Sequence, residues 1–182
     1  MDERIDIWDS EGRPTGRSAL KSEAHRMGWW HPTVHVWVYT PQAQVLLQQR
    51  GLNKVTFPGL WDVSVAGHMG AGEAPEEAAL REIQEEIGLE AVPSGLEYLG
   101  LHQEQHQHPG GITDSEFHHL FLLRVAHSGL KLIPQASEVA ALRWEPLTQL
   151  AEATWGLANP GAYVPHGSAY YAKIIKEIRS RL

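Results

Sequence analysis

The chain has 182 residues, of which 42% are hydrophobic and 20% charged, with a formal charge of -7 at pH 7. It has no cysteine, which excludes disulfides, zinc-thiolate sites and thiol nucleophiles. That length suits one domain with a real core (1–182), and the absence of a lysine–arginine cluster argues against a long nucleic-acid partner.

Arg4 to Trp8 and Arg13 to Ser18 flank the turn-forming Asp9-Ser10-Glu11-Gly12, so a small hairpin is expected. Lys21 to Met27 is expected to form a helical turn or loop packed over a sheet. These elements belong to an N-terminal extension, 1–30. The opening residues are acidic and contain no apolar run, and no stretch approaches a membrane span, so a cytoplasmic protein is expected.

His31 to Tyr39 alternates Val34, Val36 and Val38 with His35, Trp37 and Tyr39, as a strand does. Val45 to Arg50 is the next strand and is expected to pair with it as a hairpin. A loop bearing Lys54 leads to a short strand at Asp62 to Ala66 and a glycine-rich loop ending at Glu73. Pro75 starts a helix, Glu76 and Glu77 suit its first turn, and Gly88 stops it. On this helix Ala79, Leu80, Ile83 and Ile87 share one side, while Glu82, Glu85 and Glu86 share another. Three carboxylates so close repel one another. That arrangement suits a hard divalent cation bound through oxygen. An acidic solvated helix face would explain the glutamates without the loop before them.

Leu96 to His102 reads as a strand, Gln103 to Ser115 as a mobile polar loop, and Glu116 to Ala126 as a strand. In that last strand His118 and His119 point to opposite faces. Leu132 and Ile133 are expected to extend this region. Val139 to Trp144 is a further strand, and Thr148 to Ala151 begins a helical turn. Trp155 to Gly167 is expected to be irregular. Ser168 to Leu182 carries helical spacing and is read as a final helix packed on the core. Periodicity alone gives an α+β arrangement.

The stretch Gly67 to Leu89 resembles the signature box of the Nudix hydrolases: a glycine, five residues, a glutamate, seven residues, then arginine-glutamate-aliphatic-x-glutamate-glutamate-x-glycine-aliphatic. Gly67, Glu73, Arg81, Glu82, Ile83, Glu85, Glu86, Gly88 and Leu89 supply every fixed position. The resemblance implies an α/β/α sandwich with a mixed central sheet, its core over 31–150, flanked here by the N-terminal hairpin and the C-terminal helix (168–182). It implies hydrolysis of a phosphate anhydride in a nucleoside diphosphate derivative or another small organic diphosphate, with Mg2+ or Mn2+. Glu82, Glu85 and Glu86 would then be the main metal ligands, joined by the Gly67 carbonyl. Arg81 would orient a glutamate, with Glu77 or Glu85 as its partner by spacing. Glu73 would brace the loop. A small phosphorylated substrate is the implied partner, and a homodimer is compatible with the family.

The flanking segments HPTVHVWVY, LLQQR, Lys54, FPGLWDVSVAGH and ITDSEF resemble the isopentenyl-diphosphate isomerase branch of the same superfamily. That resemblance places His25, His31, His68 and Glu116 at a metal site near Glu85, with Asp114 where a glutamate is usual. The isomerase cysteine before Gly67 is Ala66 here, which cannot move a proton to or from carbon. A hydrolase on an isomerase-like frame is therefore preferred to isomerisation, and to a noncatalytic diphosphate-binding module. Glu138 is a further candidate carboxylate. Arg50, Lys54 and His68 are candidates for substrate contact. Arg50 equally suits a carboxylate, His35 reads as a packed ring, and Trp61 reads as core.

Overall fold

The computed structural model describes residues 2–154 and 161–182. Its centre is strand β3 (His31–Tyr39), buried at every position. An all-buried strand needs cover on both faces, and the expected alternation decides what covers each. Val34, Val36 and Val38 face helix α2 (Pro75–Ile87), where they meet Ala79, Ile83 and Ile87. Trp37 and Tyr39 face helices α3 (Leu147–Thr154) and α4 (Ser168–Arg179), where they join Leu150, Tyr170, Ile174 and Ile178.

Around β3 lies a seven-stranded mixed sheet. Strand β4 (Gln44–Arg50) is antiparallel to β3 and pairs in turn with β5 (Trp61–Asp62) and β9 (Val139–Pro146). Strand β6 (Val65–His68) runs antiparallel to the first half of β3. Strand β8 (Ile112–Arg124) is parallel to β3, and β7 (Leu96–His108) closes the sheet against β8. The α/β/α sandwich expected from the resemblance is thus present. The expected N-terminal hairpin is β1 (Arg4–Trp8) with β2 (Pro14–Leu20), followed by helix α1 (Lys21–Met27). It has its own small core of Ile5, Ile7, Ala19 and Ala24. The Ala71 and Gly72 N–H groups tie it to the glycine-rich loop by donating to the Arg4 carbonyl and Asp6 Oδ2.

Three expectations need correction. Gln103 to Ser115 is not a loop: β7 and β8 continue through it to a tight turn around Gly110 and Gly111, both with positive φ. Along this half of β7, Gln103, Gln105 and Gln107 are exposed while Glu104, His106 and His108 are partly covered. The strand alternates, but polar residues occupy both sides, so hydropathy hides it. The single strand expected at Asp62 to Ala66 is two, β5 and β6. Leu132 and Ile133 extend no strand. Instead the Ile133 N–H donates to the Ile87 carbonyl at the end of α2. Of the stretch expected to be irregular, residues 155–160 lie outside the described residues. Among the described residues no helix is long and apolar enough to cross a membrane.

Candidate active site

A cavity of about 390 Å³ opens between the carboxylate face of α2, the glycine-rich loop and the β7–β8 hairpin. Its first wall is made by the α2 glutamates. Glu82 and Glu86 are buried, whereas the Glu85 side chain is 49% exposed at the rim. Glu86 Oε2 accepts from the Gln48 side chain at 2.8 Å and from the Ala66 N–H at 3.0 Å. Burial, reinforced by the charge of Glu82, pushes Glu86 up to about 7. Burial raises Glu82 too, and the adjacent Arg81 opposes it.

Arg81 is the clamp of this wall. Its Nε and one terminal nitrogen donate to the two oxygens of Glu73 at 2.8 and 2.9 Å, a bidentate pairing. The same terminal nitrogen also donates to the His68 carbonyl at 3.0 Å, and the other reaches Glu82 at 2.7 Å and Glu85 at 3.1 Å. Of the two partners suggested by spacing, Glu85 is present. Glu77 instead accepts from the Ala74 N–H at the helix start, at 3.3 Å. Glu73 closes the glycine-rich loop by accepting from the Gly70 N–H at 2.7 Å. Gly67 has a steric reason to be glycine: a Cβ there would lie 2.0 Å from Glu82 Cδ.

The second wall carries imidazoles. His25, His31, His68 and Glu116 bring one donor atom each to within 4.8 Å of one another. His25 Nε2 lies 3.1 Å from His68 Nε2, and Glu116 Oε1 lies 3.4 Å from His31 Nε2 and 3.3 Å from His68 Nε2. His31 donates through Nδ1 to the Trp29 carbonyl at 2.8 Å, which leaves Nε2 as a lone-pair donor. That Nε2 is buried and has no hydrogen-bond partner among the described residues. Burial pushes His25 down to about 4 and His68 down to about 3, so both rings are neutral at pH 7. Three imidazoles, one of them with an orphaned ring nitrogen, and a carboxylate fit a divalent ion. Asp114 stands behind this group, 3.5 Å from His25 Nδ1 and 3.0 Å from His108 Nε2.

The residues expected to meet substrate are engaged with protein groups. Arg50 donates to Asp62 at 3.0 Å and to Thr56, so of its two readings the carboxylate pairing is the one seen. Lys54 pairs with Glu138 at the cavity mouth. Trp61 packs on the core with the Arg143 guanidinium 3.9 Å above its ring. His35 is buried, stacked on His118 with ring centroids 3.9 Å apart. His118 and His119 do face opposite ways: the first is 3.1 Å from Glu104, the second 3.0 Å from the Tyr98 hydroxyl.

Sequence reasoning missed Asp62, Glu104 and His166, all of which line the cavity. His166 bridges the other two, with Nδ1 2.7 Å from Glu104 and Nε2 2.8 Å from Asp62. Burial lowers its basicity, but the two carboxylates outweigh burial and push it up to about 9. The i,i+2 spacing of Glu104, His106 and His108 was the available signal for the hairpin residues. Nothing periodic surrounds His166.

A family model of the NUDIX domain matches residues 29–164. The chain belongs to the NUDIX family. Within it, the chain is 33% identical over 189 aligned positions to Nudix hydrolase 3 of Arabidopsis thaliana, covering 99% of this chain but 24% of the relative. It is 39% identical to an uncharacterized Nudix hydrolase of Clostridium acetobutylicum, over 66% of this chain and 59% of the relative. The chain therefore spans less than two thirds of the length of either relative. An isopentenyl-diphosphate delta-isomerase of Streptomyces avermitilis is 35% identical over 81% of this chain and 73% of its own length. Among solved structures, a Deinococcus radiodurans protein superposes with a TM-score of 0.68 at 24% identity, over 96% of this chain and 98% of that one. The NUDIX domain of Shewanella oneidensis NrtR, solved with ADP ribose, gives 0.58 at 22% identity, over 82% and 86%. These structures share the NUDIX fold. Both Nudix hydrolases and isomerases are thus among the sequence relatives, as the two resemblances implied.

Proposed function

We propose that this NUDIX domain hydrolyses a phosphate anhydride in a nucleoside diphosphate derivative or another small organic diphosphate, with Mg2+ or Mn2+. The observation that carries this reading is the buried pair Glu82 and Glu86, which line the cavity beside Gly67, Glu86 having no salt-bridge partner among the described residues. Glu82, Glu85, Glu86 and the Gly67 carbonyl would hold the ion, and Glu116 with its histidines would hold a second. Bound there, such an ion neutralises phosphate charge and acidifies water. The chain's own part is positional. Arg81 fixes Glu82 and Glu85 against the loop, and Gln48 and the Ala66 N–H fix Glu86. Lys54 supplies a cation at the mouth. The ADP ribose bound by the Shewanella NUDIX domain and the Nudix hydrolase names of relatives support this substrate class.

A second reading is isomerisation of a small isoprenoid diphosphate, favoured by the His25, His31, His68 and Glu116 group and by the isomerase relatives. Against it stands Ala66, a methyl group where the resemblance expects the reactive thiol. The purified protein should be incubated with nucleotide and non-nucleotide diphosphates, with Mg2+ or Mn2+, and the products resolved. Anhydride cleavage is expected. Double-bond migration without cleavage would replace the first reading by the second.

A further inference from the structure

Glu104, His106 and His166 line the cavity and, with His118, form a cluster beside the Glu116 group. Glu104 is the hub. Its Oε1 lies 3.1 Å from His106 Nε2, and its Oε2 lies 3.1 Å from His118 Nε2 and 2.7 Å from His166 Nδ1. Glu104, His106 and His166 each offer a donor atom within 4.8 Å of the others. His106 Nε2 is buried and makes no aligned hydrogen bond to Glu104 despite its closeness. His118 and His166 hydrogen-bond to Glu104 Oε2, which leaves the buried His106 Nε2 as the one ring nitrogen of this cluster aimed at the carboxylate without an aligned bond.

The outer partners point the same way. A metal-binding histidine is usually held through its second ring nitrogen by a carboxylate, hydroxyl or carbonyl. His166 Nε2 is held by Asp62 at 2.8 Å, and His118 Nδ1 by the Thr33 hydroxyl at 2.6 Å. Asp62 is itself anchored by Arg50 at 3.0 Å. Cross-strand pairing also sets Glu104 directly opposite Glu116, a destabilising juxtaposition of like charges. The His166 side chain offsets part of it, and a divalent ion bound at Glu104 would relieve it further.

We propose that Glu104, His106, His118 and His166 form a site for a zinc-class transition ion, distinct from the α2 carboxylates and from the His25–His31–His68–Glu116 group. Three imidazoles and one carboxylate favour Zn2+ over Mg2+, and four protein ligands make a closed, structural site. The ion ties the β7–β8 hairpin to the segment before α4.

Zinc titration of the His25→Ala/His68→Ala protein tests this, because that background lacks two donors of the other imidazole group. It should retain one zinc per chain after gel filtration, melt at a higher temperature with zinc than without, and give the intense visible bands of four-coordinate Co2+ when cobalt is used instead. Adding Glu104→Gln or His106→Gln should remove the bound equivalent, the thermal shift and the bands. Asp62→Asn should weaken zinc affinity about 10- to 100-fold while leaving the stoichiometry intact. His106 sits at the cavity edge, so its variant remains testable if Glu104→Gln fails to fold. Zinc binding that is equal with and without His106, or absent from the double variant while its circular dichroism is native, would overturn the proposal.

Discussion

The two walls of the cavity are built in opposite ways. The carboxylate wall is local: Gly67, Glu73, Arg81, Glu82, Glu85 and Glu86 come from one loop and one helix, and Arg81 alone joins three of the others and the His68 carbonyl. The imidazole wall is assembled from distant segments, with His25 from α1, His31 from β3, His68 from β6 and Glu116 from β8. A local wall survives as long as its helix is seated. An assembled wall depends on the registers of three strands and on a hairpin. Chemistry that needs carboxylates held close against their own repulsion belongs on the first. Soft, long-range ligation belongs on the second.

The sharpest way to break the comparison is to remove one charge from the local wall. Glu86→Gln keeps the volume and the contact with Ala66 but removes a carboxylate from the proposed metal set. Turnover is expected to fall on the order of 10²-fold or more, with far-ultraviolet circular dichroism unchanged. His31→Gln, on the assembled wall, should reduce bound zinc or manganese by metal analysis more than it reduces magnesium-supported hydrolysis. Equal losses in both variants, with either ion, would mean that the walls are one site.

The same contrast governs what could be read from sequence. The carboxylate wall was legible because helix periodicity converts spacing directly into proximity: Glu82 and Glu86 are one turn apart whatever the tertiary fold. The β3 face assignment was legible for the same reason with a period of two. Glu104 and His166 were not. Their 2.7 Å approach joins residues 62 positions apart, and nothing local encodes it. The hairpin was lost because Gln103, Gln105 and Gln107 on its exposed side differ little in hydropathy from the Glu104, His106 and His108 that face inward. Arg50 was readable as a cation suited to phosphate or to a carboxylate, but its partner was not, since Asp62 reaches it only after β5 has paired with β4.

Beneath the walls, the two layers of core can be separated by truncation. Ile174 on α4 and Ile83 on α2 are both fully buried, on opposite faces of the sheet. Each Ile→Ala change is expected to cost about 2–5 kcal/mol in urea unfolding. Only Ile83→Ala loosens the helix that carries Glu82 and Glu86, so it should also lower hydrolysis per folded molecule. A comparable activity loss from Ile174→Ala would show that α4 controls the carboxylate wall as closely as α2 does.

Gly67→Ala acts at the point where the sheet touches the carboxylate wall. The added Cβ would meet Glu82 Cδ at 2.0 Å, so Glu82 or β6 must move. Overpacking of this kind costs about 1–3 kcal/mol. Because Glu82 is the displaced group, activity should fall further than the melting temperature alone would suggest. Gly67→Ala with Glu82→Gln should then lose little activity beyond Glu82→Gln, as expected for two changes acting on one carboxylate.

The smallest effect is expected at the mouth. Lys54 and Glu138 form a pair that is partly open to solvent, with side-chain exposures of 26% and 38%. Such pairs contribute about 1 kcal/mol or less to stability. Lys54→Met should therefore barely shift the urea midpoint. Its cost should fall on substrate capture: an anionic diphosphate approaching a cavity lined by Glu82, Glu85 and Glu86 would lose a nearby cation, raising KM while leaving kcat nearly unchanged. Glu138→Gln removes the competing carboxylate and frees Lys54 for substrate, so KM should fall. Both shifts should shrink as salt is added, because screening weakens interactions at an open site. If Lys54→Met instead lowers kcat at constant KM, Lys54 acts on the reacting phosphate itself, and the mouth belongs to the chemistry of the carboxylate wall.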